Sequence, residues 1–314
     1  MRVSVVVAAF NVETLIMRAL DSVRAQTVGD WEIVVVDDAS IDRTTEVVGA
    51  AGRADPRIRL VRQDRNRGPA AARNRAIREA KGEWIAVLDA DDAWRPERLE
   101  RLLELARRTD SDLVADNLVL FDDHLQSETG MAFRFDGETV PFTAAAFFSR
   151  SNPWELGILK PVFRRELPST VGVGYDERLR FGEDFLFFTE LLFRGARAAL
   201  TPEGYYVYTT PVGHLSRERA VGSRSKTSLE SLMWIAATLS ERYRPLITPA
   251  IRRGIGRCRR RARRRWIAAE ITRLRQQRQV LALMAFLASH PRGTLRYVVT
   301  SRAWHRAFGG RPAA

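Results

Sequence analysis

The sequence predicts an α/β fold, a doubly wound and mostly parallel sheet followed by a basic helical extension. Three observations carry that expectation. Short β-branched runs alternate with amphipathic stretches over residues 3–107, and the periodicity turns helical from about residue 221. The charge also changes sign along the chain, with −6 over residues 1–214 and +19 over residues 215–314. A body, 1–214, and an extension, 215–314, are therefore expected.

Val3–Ala9 is a continuous apolar run bounded by a turn, as a strand buried on both faces would be. Leu15, Ala19, Leu20 and Val23 then have helical spacing. Glu32–Val36 is the second strand and Thr44–Ala51 the second helix, with Ile58–Val61 as the third strand. Gly68–Ala80 is alanine-rich and helical, Trp84–Leu88 is the fourth strand, and Pro96 suits the first turn of a helix ending near Arg107. Beyond residue 112 the strand candidates are Leu113–Asp116, Ile158–Phe163 and Tyr205–Tyr208, with a helix from Glu183 to Arg194. The extension is helical, interrupted at Pro245, Pro249 and Pro291.

Composition bounds the function. With 314 residues and 45% hydrophobic content, the chain can bury a substantial core. The single Cys258 excludes an internal disulfide and a cysteine-built metal site, and suits a reducing compartment. The N-terminal apolar run is broken by Asn11 and Glu13, too early for a secretory leader. The longest apolar window, Val280–Ala288, is about half of the ~18 residues a membrane span needs. A cytoplasmic protein, peripheral at the inner face of the cell membrane, is expected.

In a doubly wound sheet ligands sit beyond the carboxyl ends of the strands. There, strand one ends in Ala8-Ala-Phe-Asn11, strand two in Asp37-Asp-Ala-Ser40, and strand four in Asp89-Ala-Asp-Asp92. Carboxylates gathered on one rim repel one another unless a cation or many donors hold them. A hard divalent ion, Mn2+ or Mg2+, takes carboxylate oxygens together with a substrate's phosphates, which suits Asp89, Asp91 and Asp92. Helix capping and solvated turns are the plainer reading, and Asp37 in particular could be a structural hydrogen-bonder. No glycine-rich nucleotide fingerprint follows strand one and no P-loop occurs, which argues against a dehydrogenase or an NTPase.

The segments Val3-Ser-Val-Val-Val-Ala-Ala-Phe-Asn11, Val35-Val-Asp-Asp-Ala-Ser40, Asn66-Arg-Gly-Pro-Ala-Ala-Ala-Arg-Asn74, Leu88-Asp-Ala-Asp-Asp92 and Gly182-Glu-Asp184 together resemble family-2 glycosyltransferases, in that family's order, over roughly residues 1–210. Leu159-Lys-Pro-Val-Phe-Arg-Arg165 and the run from Tyr175 to Asp184 look most like bacterial exopolysaccharide glucosyltransferases of the succinoglycan type. The resemblance implies a GT-A fold over 1–214, an inverting mechanism, a UDP-sugar donor and a saccharide or lipid-linked saccharide acceptor. By position it implies that Asp38 contacts the uracil with Asp37 behind it, and that Ala9, Phe10, Asn11, Arg73, Asn74 and Asp89 line the donor site. Asp91 would face the ribose or sugar and share the metal with Asp92, and Asp184, beside Glu183, would be the catalytic base. Ala8 stands where the family often has proline.

An inverting base must lie across the sugar from the diphosphate, and Glu183 and Asp184 are the best candidates; the plainer reading is that two acids favour a helix N-terminus. His214 is a candidate third metal ligand or a surface histidine, and Trp94 and Trp154 either stack on sugars or simply pack. Nine arginines between Arg252 and Arg265, followed by Leu281, Met284, Phe286 and Leu287 and by Tyr297, Trp304 and Phe308, fit an anionic membrane surface met by residues 250–310. A solvated helix face is the bland alternative, and nucleic acid is not expected. Two other function classes are a nucleotidyltransferase on a similar sheet, which would carry a basic glycine-rich loop after strand one, and a non-catalytic nucleic-acid binder, which has no use for the carboxylates.

Overall fold

The computed structural model describes residues 3–135, 140–149, 157–210 and 226–291. Strands β1 (Val3–Ala9), β2 (Trp31–Asp37), β3 (Ile58–Arg62) and β4 (Trp84–Asp89) pair in parallel in the order β3-β2-β1-β4. Helices α1 (Ile16–Arg24), α2 (Thr44–Ala54) and α3 (Pro69–Glu79) make the crossovers. β2 is buried along its whole length, Glu32 and Asp37 near its two ends included, as in a strand covered on both faces. Register puts Ala9 beside Asp37 and Ala8 beside Asp89, so the three expected motifs do end on one rim.

The rest of the sheet departs from simple alternation. A short β5 (Ala93–Trp94) and α4 (Arg98–Thr109) lead into β6 (Leu113–Asp122), which carries the hairpin strand β7 (Ser127–Met131). After β8 (Val140–Pro141) and α5 (Ala144–Ser149), the three-residue β9 (Val162–Arg164) inserts antiparallel between β4 and β6. Then come α6 (Leu167–Val171), α7 (Glu183–Phe193) and the long β10 (Ala198–Thr210), parallel to β6. β10 also pairs antiparallel with β5, Tyr206 opposite Trp94. All of α7 is buried, its polar Glu183, Asp184, Thr189 and Glu190 included.

The extension forms α8 (Lys226–Arg242), a 3-10 turn at Arg244–Leu246, α9 (Pro249–Gln276) and α10 (Val280–Ser289). Pro249 does not break a helix; it begins one, behind Thr248, whose hydroxyl accepts the Ile251 N–H at 3.3 Å. The core is continuous across the two parts, because Leu232, Ile235, Leu239, Ile251, Ile255 and Cys258 belong to the same buried cluster as the sheet. The boundary expected near residue 215 lies outside the described residues. Among the described residues no helix is long and apolar enough to cross a membrane.

Candidate active site

A cavity of about 410 Å3 opens over the carboxyl ends of β1 and β4. Its wall includes Ala9 and Phe10 from the end of β1, Asp38, the Asn66–Pro69 turn, Arg73, Asp89, Asp91 and Asp92, and Glu183 and Asp184. Residues far apart in the chain reach it because of three local features. Antiparallel β9 pairs Val162 with Ala86, so Lys160, two residues earlier, emerges beside the end of β4. Pro69 and Gly68, at φ +90°, start α3 and aim Arg73 inward. Gly182, at φ +80°, turns the chain so that Glu183 and Asp184 open α7, where the positive end of the helix dipole favours carboxylates.

These side chains form one charged network. Buried Arg73 donates to Asp89 Oδ1 and Glu183 Oε1, both at 2.8 Å, and lies 3.3 Å from Asp184 Oδ1. Lys160 Nζ lies 2.9 Å from Asp89 Oδ2 and donates a short bond to Asp184 Oδ2. Burial favours neutral Lys160, but the charges of Asp184 and Asp89 outweigh it and hold the ammonium above its ordinary range. Burial likewise opposes ionisation of Asp89, yet Lys160 and Arg73 hold it well below the usual carboxylate range. The backbone of Lys160 is itself held: fully buried Arg98 donates to its carbonyl and to Asp116 Oδ1 at 2.8 Å.

The two aspartates after Asp89 differ from it and from each other. Asp92 is 1% exposed and accepts the Tyr206 hydroxyl on Oδ2 and the Thr209 N–H on Oδ1, both at 2.8 Å. Burial and the charges of Asp91 and Asp89 push its carboxyl well up. Asp91 has no ion pair among the described residues, and burial with the charge of Asp89 pushes it up to about 6. One carboxylate oxygen from each of Asp89, Asp91 and Asp92 falls within 4.8 Å of the others. Glu183 is raised too, by burial and by Asp184. Five carboxylates facing two committed cations leave an excess of negative charge, with Asp91 as its free oxygen pair; the donor set is the all-oxygen type that suits Mg2+ or Mn2+.

Asp184 Oδ1 is buried and takes no well-aligned hydrogen bond, nor does the nearby Tyr175 hydroxyl. Burial and then the Asp184 charge push that phenol well above its ordinary range, so it stays protonated.

Several expected site residues serve the frame instead of the cavity. Asn11 is outside the wall, its Oδ1 accepting the Ile41 N–H at 2.9 Å. Asp37 is fully buried behind the rim, with Oδ2 accepting the Ser40 N–H at 3.2 Å. Asn74 is also off the wall, clamping Tyr175 through both ends of its amide. Asp38 does reach the cavity, but its oxygens accept Gln63 Nε2 and the Arg67 and Gly68 N–H groups, all at 2.7 Å. Its visible work is to hold the Asn66–Gly68 turn. Trp94 is buried under Arg98, 4.6 Å from its ring centre, and packs in the core. His214, Trp154, Tyr297, Trp304 and Phe308 lie outside the described residues.

Sequence reasoning passed over Lys160, Arg98, Tyr206, Thr209 and Arg180. Lys160 had two available signals: it is one of three lysines among 51 basic residues, and it lies in the Leu159–Arg165 segment that carries the closer resemblance.

Residues 4–152 match the model of Glycosyl transferase family 2. Among curated proteins, the succinoglycan biosynthesis protein ExoO of Rhizobium meliloti is 41% identical over 224 residues, covering 68% of this chain and 62% of that protein. ExoU of the same organism is 38% identical, over 62% of this chain and 58% of its own length. The chain thus spans about three-fifths of those relatives. The solved structure of Staphylococcus aureus TarS 1–349 in complex with UDP-GlcNAc matches 86% of this chain and 79% of its own at a TM-score of 0.66 and 21% identity, a likeness of fold. The fold is therefore GT-A-like, and residues 4–152 form a Glycosyl transferase family 2 domain.

Proposed function

We propose that this protein is an inverting hexosyltransferase that moves a sugar from a UDP-sugar to a saccharide or lipid-linked saccharide in surface polysaccharide synthesis. The observation that carries the proposal is Asp184 Oδ1: a buried carboxylate oxygen with no well-aligned hydrogen bond, Arg73 Nη1 standing 3.3 Å away, in the wall of a cavity that also holds Asp89, Asp91 and Asp92. An acceptor hydroxyl supplies an aligned donor. Asp184 takes its proton as the oxygen attacks the anomeric carbon, and the carbon–oxygen bond to the β-phosphate breaks with its electron pair staying on UDP. Lys160 and Arg73 hold Asp184 in place, and Arg98 holds Lys160. Asp91 is the residue with a free carboxylate for a divalent cation, while Asp89 and Asp92 stand behind it, each engaged by protein donors. His214 joins this set only by its place in the sequence. When bound, Mn2+ or Mg2+ would neutralise the diphosphate and assist its departure as a Lewis acid. The relatives' role in succinoglycan biosynthesis and the UDP-GlcNAc bound to the TarS structure support the donor class and the pathway.

The test is a panel of UDP-hexoses and UDP-N-acetylhexosamines with Mn2+, read by thermal shift and UDP release. A shift with at least one donor is expected; no shift with any of them overturns the assignment.

A membrane surface is the proposed second partner, with the protein peripheral at the inner face of the cell membrane. α9 exposes Arg252, Arg253, Arg259, Arg260, Arg261, Arg263 and Arg264. α10 lies beside it, Phe286 5.6 Å from Trp266, and leaves Leu281 84% and Met284 62% exposed. Cationic residues beside an uncovered apolar helix complement anionic headgroups over acyl chains. Deleting the extension would remove Ile251, Ile255 and Cys258 from the core, so the sound variant is Leu281→Ser with Met284→Ser. Sedimentation with phosphatidylserine vesicles, and not with phosphatidylcholine alone, is expected of the native chain and is expected to weaken in the double variant. Equal sedimentation with both vesicle types, or retention by nucleic acid in their place, defeats this assignment.

A further inference from the structure

Among the described residues, Arg73, Lys160 and Arg180 are the cations in the cavity wall, and they differ in what neutralises them. Arg73 and Lys160 are buried and committed to Asp89, Glu183 and Asp184. Arg180 is exposed and has no ion pair among the described residues. Its Nη1 donates only to the neutral Asn66 Oδ1, at 2.9 Å.

Its position is built. A Cβ placed on Gly68 would lie 2.3 Å from Arg180 Nη1 and 2.8 Å from Cζ, so the guanidinium rests on a spot that only glycine leaves open. Gly68 also needs its φ of +90°, and Asp38 pins the N–H groups of Arg67 and Gly68 from below. Arg180 therefore spans from the segment leading into α7 across to the turn that begins α3. Two residues later Gly182 turns the chain into Glu183 and Asp184.

A nucleoside diphosphate brings negative charge into a wall already rich in carboxylates, and its departure concentrates that charge on the terminal phosphate. Exchanging a neutral amide oxygen for an anionic phosphate oxygen adds an ion pair to the guanidinium hydrogen bond and allows a bidentate fork. Arg73 and Lys160 cannot make that exchange without abandoning buried carboxylates. Resting on the donor reading above, we propose that Arg180 is the diphosphate-binding residue of this site: it releases Asn66 and grips the terminal phosphate of the nucleoside diphosphate, stabilising it as the leaving group. Because it lies on the strand of chain that carries the base, donor binding and placement of Asp184 are joined through Gly182.

The experiment is calorimetric titration of native, Arg180→Gln and Arg180→Lys protein with UDP and with UMP at saturating Mn2+. Arg180→Gln is expected to weaken UDP by about tenfold or more while leaving UMP within about twofold, and Arg180→Lys to recover part of the loss. Unchanged UDP affinity in Arg180→Gln overturns the proposal, and so does an equal loss for UDP and UMP, which would assign Arg180 to the nucleoside or to the fold. If the native protein binds neither nucleotide, the donor reading falls and takes this one with it, an outcome distinct from a selective result in the variants.

Discussion

Glu32 and Asp91 are both carboxylates at the ends of the central parallel strands, one at the amino edge and one at the carboxyl edge. Glu32 is 1% exposed, and its Oε1 accepts the Ser4 hydroxyl and the Lys81 N–H at 2.7 Å while Oε2 accepts Arg59 Nη1 at 3.1 Å. Burial alone would raise its pKa, but Ser4 and Lys81, with Arg59, bring it below the ordinary 4.5. Asp91 has no such set of donors, and its carboxyl is pushed up to about 6. One edge of the sheet completes its polar groups internally, and the other leaves them short of positive charge. Self-sufficiency marks structure, and carboxyls left short of internal donors mark a candidate site.

The largest expected effect breaks the deficient edge at Asp184, the proposed base. Asp184→Asn keeps the size of the side chain but cannot take a proton. Transfer should fall by about a thousandfold, the range of a general base, while UDP affinity stays within a few-fold. A stopped assay of sugar transfer beside a UDP titration separates the two. Full activity in this variant removes Asp184 from the role and leaves Glu183 as the next candidate.

The amino edge should respond in the opposite currency. Glu32→Ala leaves the Ser4 hydroxyl and the Lys81 amide without their buried acceptor, a loss of about 2–3 kcal/mol. Arg59 is 32% exposed, so its charge adds little to that figure. At a temperature where the variant is folded, kcat should be that of the native protein. Chemical denaturation and transfer assays check the two halves, and a kcat loss without a stability loss would reverse the contrast between the edges.

How much of this was legible beforehand depends on whether the information is local. The four parallel strands and their helices were readable because unbroken apolar runs and helical spacing lie within short windows, and parallel register then forces Ala8, Asp37 and Asp89 onto one rim. Asp184 stands in the cavity wall, where the Gly182-Glu-Asp184 resemblance implied a site residue. Lys160 was not, because its role comes from β9, three residues long and inserted antiparallel between strands remote in the chain. The same holds for Tyr206 and Thr209, which meet Asp92 only because β10 pairs with β5. Asn11, Asp37 and Asn74 show the converse. A polar residue in a motif is equally well explained by holding a turn, and only geometry separates the two. Leu232 adds a last case: it stands in the cavity wall although it belongs to the extension, whose composition pointed to the surface.

The smallest effect, and the sharpest probe of the comparison, is a gain in stability. A carboxyl whose folded pKa is raised contributes stability below its unfolded value, here 3.8, and loses that contribution as pH rises through about 6. At neutral pH native Asp91 is thus a cost on the order of 3 kcal/mol in the absence of a cation. Asp91→Asn should raise the Tm by about 5 °C at pH 7.5 and by progressively less as pH falls from 6 towards 4. For native protein the stabilisation by subsaturating Mn2+ should run the other way, weakening about tenfold in apparent affinity per pH unit below about 6 as Asp91 takes up its proton. Glu32 works with the opposite sign, its contribution being present above 4.5 and lost as pH falls through the lower folded value. A Tm series from about pH 3 to about pH 8, with and without Mn2+, reads both edges in one experiment. If Asp91→Asn is no more stable than native protein at pH 7.5, the charge at the carboxyl edge is already balanced from within, and the distinction between a completed edge and a waiting one disappears.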